Sequence, residues 1–303
     1  MVSGNRPTRR TLLFLPLVLV LTGCHSFFYW PEKTYPAPGY LPGSQLHERY
    51  FPGKSGKRLS GWLLPARTSE SKGLVVYCHG TDTNIGEYLE AVEFLPDQGF
   101  DLFLFDYGGY GASEGKPFRR GTIDDAHAAI DYAKADPLVR GKNVALYGYS
   151  LGAGVAHVTA SERDDVVGVV AESGFTTYRE IGKKVARENW FTWTFSLLSR
   201  VLVLKGLDPI EYIDQVTPRP LYLIHGENDE VVPVRMAKQL YEKAYEPKRL
   251  WIIKNATHYS PPEVRHPHYE RRISGYFSYI FAEAEGREVD FAEDVLPGGV
   301  TYD

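Results

Sequence analysis

Cysteine is scarce: Cys24 and Cys78 are the only two in 303 residues, so at most one disulfide could form. Cys78 lies inside an apolar, strand-like run and reads as a small buried hydrophobe rather than a reactive thiol. Long apolar runs are also missing. The longest, over 12–21 and interrupted by Pro16, is ten residues, against the roughly 20 that a membrane-crossing helix needs. There is no excess of positive charge. The formal net charge of −4 argues against nucleic acid as the main partner. No internal repeat or low-complexity tract appears, and no metal-ligand cluster is spaced for binding. His266 and His268 flank Pro267 without an acidic or cysteine partner at suitable distance, so neither metal nor cofactor is expected. What remains is an ordinary globular composition, 43% hydrophobic, enough for a sizeable core.

Most of the chain alternates between two patterns. A hairpin is expected over 47–51 and 58–64, around the turn 52–57. Strands over 73–78, 101–105, 143–147, 166–171, 221–225 and 249–254 follow. Between and after them come helices over 86–98, 122–134, 151–161, 233–244 and 269–283. Near-continuous apolar strands alternating with helices predict an α/β fold, a mostly parallel central sheet with helices on both faces. The interruption over 176–207 is too long for a plain loop, and its aromatic stretch 190–195 suggests a small helical cap beside the site. Proline and glycine among aromatics over 24–45 read as a linker, and the acidic 286–303 as a loose C-terminal tail. The globular domain is then 46–285.

Within that pattern Gly148-Tyr149-Ser150-Leu151-Gly152 stands between an apolar strand and a helix built of small residues. G-x-S-x-G in that setting is a nucleophile elbow, in which a strained turn lifts the serine hydroxyl out of the sheet. The chain carries its own control. Gly111-Ala112-Ser113-Glu114-Gly115 has the same spacing, but the six residues 106–111 lie between the preceding strand and Ala112, and Pro117 follows. Ser113 therefore belongs to a loop, and Ser150 is the candidate nucleophile.

A serine hydroxyl is a weak nucleophile at neutral pH and needs a base, which in turn needs an orienting acid. In elbow enzymes these follow in the order serine, acid, histidine. The acid belongs after the 221–225 strand, where Asp229 is chosen over Glu227 and Glu230. The base belongs after the 249–254 strand, where His258 sits at the carboxyl edge of the sheet, the edge at which ligands gather in open α/β folds. His225 is read as packing or hydrogen-bonding locally, and His79 as a loop-shaping residue. Oxyanion stabilisation calls for two backbone N–H donors, Leu151 after the nucleophile and Thr81 in the loop after the 73–78 strand.

These residues, with Gly61-Trp62, His79-Gly80, Asp106-Tyr107, Gly109-Tyr110-Gly111 and His225-Gly226, resemble the α/β-hydrolase fold. They are most similar to the small serine hydrolases related to BEM46 and the ABHD13 and ABHD17 proteins. The resemblance spans about 59–279 and implies a serine hydrolase acting on a small acyl ester or thioester substrate. The family usually carries arginine where Gly108 stands here, and glycine before the histidine where Thr257 stands. Two alternatives accompany that reading: a serine peptidase of prolyl-oligopeptidase type, and a non-catalytic binding protein on a hydrolase scaffold.

At the amino end, Arg6, Arg9 and Arg10 precede the short apolar run, the pattern of a secretory signal over 1–23. Leu21-Thr22-Gly23-Cys24 resembles the lipobox of bacterial lipoproteins. That resemblance implies cleavage before Cys24, lipidation of Cys24 and membrane attachment in the cell envelope. Because His25 replaces the aspartate that retains such proteins at the inner membrane, it further implies the outer membrane. With Cys24 acylated, no intrachain disulfide is possible. Residues 8–13 also resemble a twin-arginine signal, leaving the export route open.

Overall fold

The computed structural model describes residues 28–35, 45–188, 206–259 and 268–303. Among them, nine strands form one sheet in the order β1-β2-β4-β3-β5-β6-β7-β8-β9. The strands are β1 His47–Pro52, β2 Arg58–Leu64, β3 Leu74–Cys78, β4 Asp101–Phe105, β5 Val144–Tyr149, β6 Val166–Glu172, β7 Leu221–Gly226, β8 Lys248–Ile253 and β9 Val300–Tyr302. The β1/β2 and β2/β4 pairs are antiparallel and every other pair is parallel. This is the α/β-hydrolase arrangement expected from the sequence.

Alternation along the strands divides the core in two. On β3, Leu74, Val76 and Cys78 enter one apolar layer while Val75 and Tyr77 enter the other. Neither face can be left wet, and helices cover both. The first layer takes α2 Arg119–Ala135, α3 Leu151–Ser161 and α5 Val234–Lys243, and the second takes α1 Ile85–Tyr88 and α6 Tyr269–Ala284. A further helix, α4 Tyr178–Glu188, lies in the region expected to form a cap. Residues 189–205 of that region, with the 190–195 aromatic stretch, lie outside the described residues, as do Cys24, His266 and the 1–23 signal. The chain runs from β3 to β4 on one side and then crosses back to β5 on the other. The carboxyl ends of β3 and β5 therefore form a topological switch point, where open α/β sheets bind ligands.

Three stretches differ from expectation. The helix expected over 86–98 closes after Tyr88, and the chain continues in tight turns. Leu89, Val92 and Leu95 are buried at a spacing of three, and the amides of Val92 and Leu95 bond three residues back. That is the three-per-turn period, not the 3.6 of an α-helix. Residues 28–35, expected within an extended linker, instead pack on the domain: Tyr29 is buried in the core and the Tyr35 hydroxyl donates to buried Asp106. The expected loose tail carries β9, and Asp303 just after it pairs with Arg272 at 2.6 Å.

Candidate active site

Ser150 stands between β5 and α3 with φ +52° and ψ −110°, a conformation that a residue with a Cβ adopts only under strain. The turn that holds it there depends on its glycines. A Cβ at Gly152 would lie 1.8 Å from the Cys78 carbonyl oxygen, and one at Gly148 would lie 2.3 Å from the Gly152 carbonyl oxygen. Both obstacles are backbone, so nothing can turn aside. The Ser150 amide donates to the Glu172 carbonyl at 2.9 Å, tying the elbow to the end of β6.

Beyond β7 and β8, two loops cross closely enough to bring Asp229 and His258 together. Gly226 permits the crossing, since a Cβ there would meet the Ala256 carbonyl oxygen at 2.5 Å. The Asn228 amide donates to that same carbonyl at 2.9 Å. His258 is held from the other side by the Tyr149 hydroxyl, which donates to its carbonyl at 2.5 Å. The imidazole is then fixed at both nitrogens: Nδ1 is 2.8 Å from Asp229 Oδ2, and Nε2 is 3.2 Å from Ser150 Oγ. All three side chains are buried.

Asp229 is the most heavily bonded group of the three. Oδ1 accepts the amides of Val231 at 2.9 Å and Val232 at 2.6 Å, and Oδ2 faces His258 and, at 3.3 Å, His225 Nε2. Burial pushes its pKa up, but hydrogen bonds from His225 and His258 outweigh that and hold the carboxyl well below the usual range. An ionised Asp229 requires an Nδ1–H on His258, which leaves Nε2 free to accept the Ser150 proton.

His225 hydrogen-bonds locally, as its place at the strand end suggested. Its Nε2 also lies 2.7 Å from the Val232 carbonyl, so an Nε2–H bridges the turn that carries Asp229. The signal for this was its place at the end of β7, four residues before the acid. His79 shapes a loop, as its sequence context suggested. Its Nδ1 lies 2.7 Å from the Gly80 carbonyl, and burial lowers its pKa to about 3, so it is neutral. Glu227 and Glu230 are exposed and take no place beside His258. Ser113 is buried in the loop predicted for it, donating to the Asp106 carbonyl at 2.7 Å and accepting the Ser60 amide at 2.9 Å.

Thr81 and Leu151 line one small cavity with Ser150, about 100 Å³ in volume. Among the described residues, neither amide donates to another group. Two unspent N–H donors beside a serine hydroxyl can receive the charge of a tetrahedral oxyanion. Other walls are apolar, including Phe175, Ile181, Val231 and Val232. No cluster of three histidine, cysteine or acidic side chains able to hold a metal occurs among the described residues.

Residues 69–209 match the family profile Hydrolase_4, described as serine aminopeptidase, S33; this stretch contains Ser150 but neither Asp229 nor His258. The protein YfhR of Escherichia coli K12, itself uncharacterised, is 30% identical over 246 residues, covering 80% of this chain and 82% of YfhR. The bem46 protein of Schizosaccharomyces pombe is 28% identical over 175 residues, 56% of each chain. Among solved structures, the esterase Pf2001 of Pyrococcus furiosus superposes with a TM-score of 0.69 at 21% identity, covering 85% of this chain and 98% of that one.

Proposed function

This chain belongs to the α/β-hydrolase family, and from that premise we propose that it cleaves carboxylic ester or thioester bonds through an acyl-enzyme on Ser150. The observation that carries the reading is the relay from Asp229 through His258 to Ser150, 2.8 and 3.2 Å, at a strained elbow beside an apolar cavity. Ser150 Oγ attacks the acyl carbonyl while His258 Nε2 takes its proton, and Asp229 stabilises the imidazolium. The amides of Leu151 and Thr81 bind the oxyanion. His258 then gives the proton to the departing alcohol or thiol. Water, deprotonated by the same nitrogen, releases the acid and restores the serine.

A second reading has one specific observation behind it, the aminopeptidase description of the matching family profile. An aminopeptidase must hold a free α-ammonium group next to the bond it cuts. Among the described residues lining the cavity beside Ser150, none is charged, which favours an apolar acyl group. The two readings separate on substrate series. Turnover of p-nitrophenyl esters, with little turnover of aminoacyl p-nitroanilides, is expected; the reverse ranking overturns the ester assignment. A fluorophosphonate probe addresses the non-catalytic alternative. Labelling that disappears in Ser150→Ala is expected, and a folded wild type that takes no label would favour a binding protein.

The proposal extends to location: Cys24 as the lipidated residue of an envelope protein, held at the outer membrane facing the periplasm. Its support is the arginine-rich start, the short apolar run and the Leu21-Thr22-Gly23-Cys24 sequence. Metabolic labelling with radioactive palmitate should mark the wild type and not Cys24→Ser; equal labelling of both refutes it.

A further inference from the structure

We propose that the 28–35 segment forms a wall of the active site, with Phe28 and Trp30 selecting the acyl group and the Phe28 carbonyl bracing the Thr81 loop. This rests on the hydrolase reading above and adds a specificity element to it, one supplied by residues outside the alternating α/β core.

The segment is fastened along its length. The Thr81 hydroxyl donates to the Phe28 carbonyl. The Trp30 amide donates back to the Thr81 carbonyl at 3.1 Å, and the Tyr110 hydroxyl reaches the same oxygen at 2.8 Å. Further along, the Gly111 amide donates to the Glu32 carbonyl at 2.9 Å, and Asn84 Nδ2 donates to the Thr34 carbonyl at 2.8 Å. Lys33 Nζ donates to the Ser113 carbonyl at 2.7 Å, and the Tyr35 hydroxyl closes the far end on Asp106. Tyr29 is buried in the core between the two site aromatics. A spacer in solvent would make none of these bonds.

Two consequences follow for the site. Phe28 and Trp30 border the cavity that also holds Ser150, Leu151 and Thr81. Phe28 packs edge-on against Tyr178, another lining residue, with ring centroids 5.5 Å apart. Trp30 stays 53% exposed, large for a tryptophan, because it stands at the mouth rather than the floor. A small apolar cavity flanked by the two oxyanion amides fits the acyl side of a substrate, and its size favours short or medium chains. Secondly, bonds through the Thr81 hydroxyl and carbonyl anchor the residue whose amide is the proposed second oxyanion donor. Thr81 is thus a positioning residue through its side chain as well as a donor through its backbone.

The test uses the full-length protein and p-nitrophenyl esters from acetate to decanoate, with a parallel series of acetates differing in the alcohol. Phe28→Ala and Trp30→Ala should each change the ratio of hexanoate to acetate kcat/KM by about tenfold, the scale of a lost apolar contact. Thr81→Val should lower kcat at every chain length with little change in KM, and Thr81→Ser should restore it. Trp30 is half exposed, so its variant tests the wall even if Phe28→Ala fails to fold. Phe28→Ala and Trp30→Ala variants that scale every ester equally, or that alter only the alcohol series, overturn the acyl-wall assignment. Fluorophosphonate labelling of Ser150 in each variant keeps the outcomes distinct: labelling with an unchanged profile sinks this inference alone, and absent labelling of the wild type sinks the hydrolase reading beneath it.

Discussion

Replacing Asp229 with asparagine changes almost no atoms but reverses the donor pattern on which the relay depends. Oδ1 accepts two backbone amides, from Val231 and Val232, and neither can become an acceptor. The asparagine oxygen must therefore stay on that side, and its NH₂ group turns toward His258 Nδ1 and His225 Nε2. Two N–H donors cannot face each other at 2.8 Å, so His258 shifts its proton to Nε2. That nitrogen then points a proton at Ser150 Oγ instead of a lone pair. A wrong-tautomer defect of this kind costs on the order of 10⁴ in kcat, or about 5.5 kcal/mol of transition-state stabilisation. KM should change little, because Asp229 borders no part of the cavity. Steady-state turnover of p-nitrophenyl butyrate, with circular dichroism to check folding, measures both. A folded Asp229→Asn protein that keeps more than about a tenth of wild-type kcat refutes the relay.

Gly152→Ala places a methyl 1.8 Å from the Cys78 carbonyl oxygen, so α3 or the end of β3 must move by more than about 1 Å. A displacement of that size at the elbow is expected to cost about 10²-fold or more in kcat/KM, and wild-type turnover would contradict the geometry. Ser113→Ala should keep fluorophosphonate labelling but lose about 1–3 kcal/mol in urea unfolding, because the buried Ser60 amide loses its acceptor; loss of labelling would reopen the choice of nucleophile. Burial raises the Asp125 carboxyl to about 6, against the lowering effect of the Gly108 amide bonded to it at 2.8 Å and with help from nearby Asp124. Above the ordinary aspartate pKa the unfolded chain ionises more readily than the folded one, so this group's contribution to stability falls as pH rises from about 4 through 6. Asp125→Asn should therefore gain stability relative to wild type across that window, with an upper bound of about 3 kcal/mol at pH 8. A stability difference that does not vary with pH contradicts the assignment.

The elbow was legible because its determinants are local: an apolar strand, two glycines spaced by the clashes they avoid, and a helix of small residues. Asp229 and His258 followed because each belongs to the turn after a recognisable strand, and strand order fixes which turns meet. The role of His225 was harder to see, since its contact with Asp229 depends on how the turn folds back. Two features that shape the surroundings of the core left no periodic trace. Residues 28–35 read as a linker because prolines and aromatics without a 2 or 3.6 period look unstructured. Their partners, Thr81 and Asp106, lie tens of residues away. β9 is three residues long and depends on pairing with β8. The helix expected over 86–98 is a different case: Leu89, Val92 and Leu95 recur every three residues, a spacing that over so short a run cannot be told from the helical 3.6.

A rapid-quench experiment bears most directly on the central claim. The enzyme is mixed with excess p-nitrophenyl butyrate, stopped in acid within the first turnovers, and the intact mass and proteolytic peptides are measured. One butyryl group on the peptide containing Ser150, absent in Ser150→Ala, is the expected result. Ester turnover with no acyl group on that peptide, or with the group on another residue, would contradict it.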